Sequence, residues 1–166
     1  MNPLGVLLTQ IRAAAAVDLH LIALGMAVAL PDICAALIDP DGRTSAKQFK
    51  EWCSNNLNGK EFNFVTPDDL YSMRCGVLHQ GRYGDLKHNV ARVIFVLPGR
   101  ATFTNCRAND AYIYSVSEFC NNICDCAENW YKSNAESPIV NSNIKRMMQY
   151  YDNGLPQYIA GITVIA

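Results

Sequence analysis

The sequence predicts a mainly α fold, an up-down helical bundle with a small antiparallel β-hairpin or meander inserted after the motif helix. Three observations predict it. Apolar residues recur at helical spacing through the first part of the chain. Helix-start signatures stand before several later segments. A β-branched, apolar stretch with turn residues occupies only about residues 88–114. The 166 residues read as one domain, 1–166, long enough to bury about two thirds of the unfolded surface. Half of them are apolar and 17% charged, which is a globular composition.

Taken in order, Leu4, Leu7, Leu8, Ile11, Ala15, Leu19, Ile22 and Met26 predict a first helix from about Leu4 to Val28. Pro31-Asp32 restarts the chain, with a short second helix from Ile33 to Ile38 and a turn at Asp39-Pro40-Asp41-Gly42. Ser45 and Gln48 form a capping box for a helix that turns Phe49, Trp52 and Cys53 inward. After a polar loop, Thr66 caps, Pro67 fits the first turn, and Asp68 and Asp69 suit the positive end of the dipole. This helix reaches His79 and stops at Gly81.

The pattern then becomes β-branched and apolar. Val90 to Leu97 predicts a strand, Pro98-Gly99 a turn, Ala101 to Cys106 a return, and Tyr112 to Tyr114 a third strand. Ser115 and Glu118 open a helix to about Asn134. A last helix is expected over roughly Asn143 to Tyr151, ended by Asn153-Gly154, and the apolar tail Tyr158 to Ala166 docks as a strand.

Net charge is −1, so the whole molecule is no general polyanion binder. Its distribution is uneven: Arg74 to Arg107 holds six cations and one acid, a net +5, and the remainder eight cations and fourteen acids, a net −6. The positive segment carries the most informative motif, Arg74-Cys75-Gly76-Val77-Leu78-His79-Gln80-Gly81-Arg82. Arginine is a permanent cation that forks onto a phosphate, and histidine takes and gives protons near neutral pH. The plain structural reading pairs Arg74 with Asp68, Asp69 or an acid on another helix, and leaves His79 as a solvated helix-end residue. At 100° per residue His79 stands about 140° from Arg74 around the helix. The two are therefore expected to meet only if the last turn unwinds or a second chain completes the site. Arg82 and His88 repeat the pairing with five residues between them, in a glycine-containing stretch without a rigid scaffold.

A helix ending in Arg-x4-His within a helical domain resembles the HEPN superfamily. The resemblance covers about residues 4–134, and its specific part is the short motif. It implies a bundle that forms a homodimer with two motifs facing across a cleft, and a metal-independent endoribonuclease activity of toxin–antitoxin or defence type. His79 would then serve acid–base catalysis on the RNA 2′-hydroxyl and the leaving 5′-oxygen. Arg74 would hold the phosphate, and the products would be a 2′,3′-cyclic phosphate and a 5′-hydroxyl. Arg82, Gln80, Lys87 and His88 would supply further phosphate or ligand contacts. The chain departs from active members at Cys75, where a polar residue is common; a thiol is a weak hydrogen-bond donor.

Other constellations carry less. Cys120 and Cys124 share a helical face, Cys126 does not, and His88 or Cys106 would have to join them to bind metal; buried core thiols are the reading adopted. No metal and no cofactor are expected. His20 reads as a core histidine beside Asp18, and Tyr112, Tyr114, Tyr131, Tyr150 and Tyr151 as residues bridging core and surface rather than base-stacking platforms. There is no phosphate-cradling glycine loop, Gly-x-Ser-x-Gly elbow or His-Glu-x-x-His. Asp18 and His20 interrupt the apolar run before it could span a bilayer. With seven cysteines and no secretory signal, the expected setting is a reducing cytoplasm, without membrane association. Three readings stay open: a HEPN-like RNA-binding endoribonuclease; a non-catalytic HEPN-like module that binds RNA or nucleotide, or an antitoxin-like protein partner; and a helical interaction protein with a coincidental motif.

Overall fold

A computed structural model describes residues 2–59, 62–83, 92–99 and 104–166. Its helices are α1 (Pro3–Ala16), α2 (His20–Ile38), α3 (Ala46–Asn56), α4 (Pro67–Gln80), α5 (Val116–Asn134) and α6 (Pro138–Ile144). Strands β1 (Arg92–Val96), β2 (Cys106–Ala108) and β3 (Ala111–Ser115) lie between α4 and α5. The fold is thus mainly α with a small β excursion after the motif helix, as expected.

Helix α2 is the axis of the bundle and packs against the five other helices. Its composition requires this, because a helix apolar on nearly every face must be covered on nearly every face. Ala23, Ala27, Leu30 and Cys34 are fully buried. It is also long and apolar enough to cross a membrane, with a mean hydropathy of 2.3 over its window and half of that window buried. The run that begins after Asp18 therefore reaches spanning length, contrary to the sequence expectation.

Two further corrections fall on this region. The expected Leu4–Val28 helix is broken at Val17–Leu19, where Asp18 adopts φ 63°. Aspartate is one of the few residues that visits the left-handed region at modest cost. The apolar period runs on through the break because Val17, Leu19, Leu21 and Ile22 are apolar yet exposed. Conversely, the restart expected at Pro31 is absent, and α2 runs straight through that residue. An interior proline costs a helix about 3 kcal/mol. Burial of the flanking Leu30, Cys34, Ala35 and Leu37 outweighs it.

The three N-caps form as read, but only Thr66 and Asp69 complete a reciprocal capping box, because the side chains of Gln48 and Glu118 turn to Asp39 and Asn105. Ser45 accepts from Gln48 N, Ser115 from Glu118 N, and Thr66 and Asp69 exchange hydrogen bonds reciprocally. Helix α4 closes on Gly81 at φ 65°, a left-handed conformation suited to glycine. The sheet differs in one respect from a simple antiparallel meander. Its order is β1-β3-β2, with β2 antiparallel to β3 but β1 parallel to β3, from Arg92↔Ala111 to Val96↔Ser115. The expected strand start at Val90 and the first half of the return from Ala101 lie outside the described residues.

The last helix is α6 at Pro138–Ile144, not Asn143–Tyr151. Ser137 caps it with Pro138 in the first turn, a start signal stronger than the apolar spacing further on. Beyond it, β4 (Tyr150–Tyr151) pairs with β7 (Val164–Ile165), and β5 (Gly154–Leu155) with β6 (Ile159–Ala160). The tail thus docks as two short ribbons rather than one strand.

Candidate functional site

Helix α4 presents its motif at the end away from the capping box. Leu70, Met73 and Gly76 are buried, and Leu78, His79 and Gln80 are exposed. Arg74 lies between these faces, its side chain 22% exposed. The guanidinium is held from three sides. Nε donates to the Asp32 carboxylate on α2, Nη1 lies 3.8 Å from Cys75 Sγ, and the Tyr71 ring stands one turn back with its centroid 6.0 Å from Cζ.

Nη1 also lies 3.2 Å from His79 Nε2. Arginine and histidine of one chain therefore meet without unwinding and without a second chain, which corrects the expectation drawn from the helical wheel. Side chains on a helix lean toward its N-terminus, so the imidazole of His79 leans back over the turn that Arg74 occupies. The shorter path round the helix from Arg74 to His79 passes Cys75, and a thiol is small enough for the guanidinium to cross. Arginine carries only donors, so a hydrogen bond in this contact has His79 Nε2 as its acceptor.

Burial opposes the charge of Arg74, but the hydrogen bonds to Asp32 and Cys75 more than compensate, and its pKa stands above the ordinary value. The cation is permanent. Burial, with a hydrogen bond to Cys75, pushes the Tyr71 phenol upward as well, so at neutral pH it is uncharged.

The ion pair expected for Arg74 is thus made with an acid on another helix. Asp68 pairs with Lys50 at 2.6 Å instead, and Asp69 is buried in the capping box. Asp32 is the lone acid in a long apolar run and Tyr71 stands three positions before Arg74, signals in the sequence that lie outside the Arg-x4-His motif. Gln80 and Arg82 are exposed and bond to each other, Arg82 Nε to Gln80 Oε1 at 2.7 Å. Lys87 and His88 lie outside the described residues. Arg92 pairs with Asp110 at 3.5 Å, and Arg107 donates to the Asn109 carbonyl, so these two cations are engaged within the sheet.

The remaining candidates resolve as core. Cys34, Cys53, Cys120 and Cys124 are buried, and all seven cysteines are free. Among the described residues no group of three His, Cys, Asp or Glu side chains could hold a metal ion. His20 is nearly buried, with Nε2 3.8 Å from Asp18 Oδ1. Tyr114 is fully buried, and Tyr112 stacks on Phe64 with ring centroids 3.8 Å apart. Comparison with family models, with characterised proteins and with solved structures returns no match.

Proposed function

We propose that Arg74 and His79 form a phosphodiester-binding site of the HEPN kind, through which the protein binds RNA and, as a homodimer, cleaves it without metal. The observation that carries this reading is the 3.2 Å contact between a permanently charged guanidinium and an exposed imidazole. A phosphate oxygen entering between them would replace the imidazole on Nη1 and release Nε2 to take the proton of the 2′-hydroxyl. Asp32 engages Nε, which leaves Nη1, beside the exposed His79, for the phosphate. A homodimer is supported by the neighbouring surface. The pairs Asp32–Arg74 and Gly25–Val77 run α2 and α4 antiparallel, which brings the exposed Leu21 and Ile22 toward the end of α4 where Leu78 is also exposed. The free thiols suit a reducing cytoplasm.

A second reading, binding of RNA or nucleotide without turnover, is favoured by Cys75, which offers only a weak donor beside the phosphate. The experiment that separates the two incubates purified protein with RNA in EDTA and identifies the termini formed. Cleavage is expected to give 2′,3′-cyclic phosphates and to fall by about 10²–10⁴ in His79→Ala, the usual contribution of a general acid or base. Retained RNA binding with no cleavage would establish the second reading. Loss of neither binding nor cleavage in His79→Ala and Arg74→Ala would refute both.

A further inference from the structure

About a quarter turn round α2 from the face that meets α4 lies a cavity of about 590 Å³ between α1, α2 and the segment that follows α6. Its walls are apolar and adaptable: Val6 and Leu7 of α1, Met26 and Ile33 of α2, and Met147 with Met148 beyond α6. Unbranched thioethers refill irregular gaps at low cost, and this volume falls within the usual range for small-molecule sites. No carboxylate is among the lining residues.

The single cation at its rim is Arg146, and its placement is built rather than incidental. Asn143 is 7% exposed, and its Nδ2 donates to three carbonyls at the end of α2: Asp39 at 2.7 Å, Leu37 at 3.2 Å and Ala36 at 3.4 Å. With the amide nitrogen committed there, Oδ1 faces outward and accepts from Arg146 Nη1 at 3.3 Å. Gly42, at φ 69°, leaves room for both, since a Cβ there would stand 3.1 Å from Nη1 and 3.3 Å from Oδ1. The nearby Asp39 is not the partner of this guanidinium. Its oxygens accept from Asp41 N at 2.9 Å and Gln48 Nε2 at 2.7 Å, and these bonds hold its pKa below the usual carboxylate range. Among the described residues Arg146 makes no ion pair with an acid.

We infer that this cavity binds an aliphatic carboxylate, with the alkyl body against the methionine-lined wall and the carboxylate on the Arg146 guanidinium that Asn143 holds at the rim. The site is separate from Arg74 and His79 and does not depend on the function proposed for them.

Calorimetric titration with decanoate and decanol, each below its aggregation concentration, tests this. Decanoate is expected to saturate one site and to bind at least ~10-fold tighter than decanol, a difference in keeping with charge-assisted pairing to a guanidinium. Arg146→Gln, at an exposed position and so folding normally, should reduce decanoate to the level of decanol. Val6→Trp should remove both ligands, with circular dichroism confirming that the helices persist. Equal binding of acid and alcohol, unchanged decanoate binding in Arg146→Gln, or no saturable binding would each overturn the proposal. So would a cavity occupied by a second copy, seen as a change of oligomeric state in Val6→Trp with no binding of decanoate to the native protein.

Discussion

Arg74 illustrates how one side chain can satisfy a structural and a functional reading together. Its Nε is spent on Asp32 inside the bundle, and its Nη1 reaches an exposed histidine. A lysine could not divide itself in this way, because it carries one compact donor group in place of a planar fork. In the function proposed above, Asp32 would act through Arg74 as a positioning residue. Asp32→Asn keeps an acceptor but removes the charge, and is expected to lower RNA cleavage about tenfold, equivalent to roughly 1.4 kcal/mol of transition-state stabilisation. Steady-state kinetics should show the loss in kcat more than in KM, and an unchanged kcat would remove Asp32 from the site. The thiols give a second test at this scale. Burial pushes Cys120 and Cys124 up to about 12 and Cys34 and Cys53 higher still, whereas Cys75, Cys106 and Cys126 are only partly buried. Thiolate is the reacting form, so native protein should titrate three thiols with a disulfide reagent and all seven in denaturant. Rapid reaction of all seven under native conditions would contradict the packing.

At the scale of elements, helix starts were far more legible than helix interiors. Ser45, Thr66 and Ser115 each accept the backbone hydrogen bond that their spacing implied. Caps are local, needing a side chain and an amide three residues on, so sequence carries the whole of their physics. Thr66→Ala is expected to cost about 1 kcal/mol and to lower Tm by about 2–4 °C in calorimetry. No shift would mean that Asp69 alone sustains the start of α4. The cap at Ser137 was equally local and was passed over for apolar spacing further on, whereas α1 and α2 were misread for the opposite reason. Whether Pro31 ends a helix depends on what covers its neighbours, and whether Asp18 breaks one depends on exposed apolar residues that mimic a core stripe. The parallel pairing of β1 with β3 was likewise unreadable, since strand period says which residues alternate and not which edge they join.

At the level of the whole fold, the central α2 borders two candidate surfaces: the end of α4 with Arg74 and His79, and the cavity flanked by the segment after α6. The first is flanked by Leu21, 79% exposed, and Ile22, 62% exposed, both unusually bare for their size. If a second copy covers them, Leu21→Asp should yield a monomer by light scattering and a loss of RNA cleavage while thermal stability changes by less than about 0.5 kcal/mol, as for an ordinary surface position. A dimer that survives this change would put the interface elsewhere.

Fold class, the capped starts of α3, α4 and α5, the glycine stop at Gly81 and the two residue types of the candidate site were all legible along the chain. Each depends on interactions within a few residues or on composition, and neither requires knowledge of what lies across the core. The partner of Arg74, its crossing of Cys75 to His79, the passage of α2 through Pro31 and the Asn143–Arg146 arrangement were decided by tertiary structure alone. They join residues from 3 to 107 positions apart, the shortest of them fixed by a long-range contact of Asn143, or weigh a local penalty against burial by distant helices. Those balances exist only once the chain has closed upon itself.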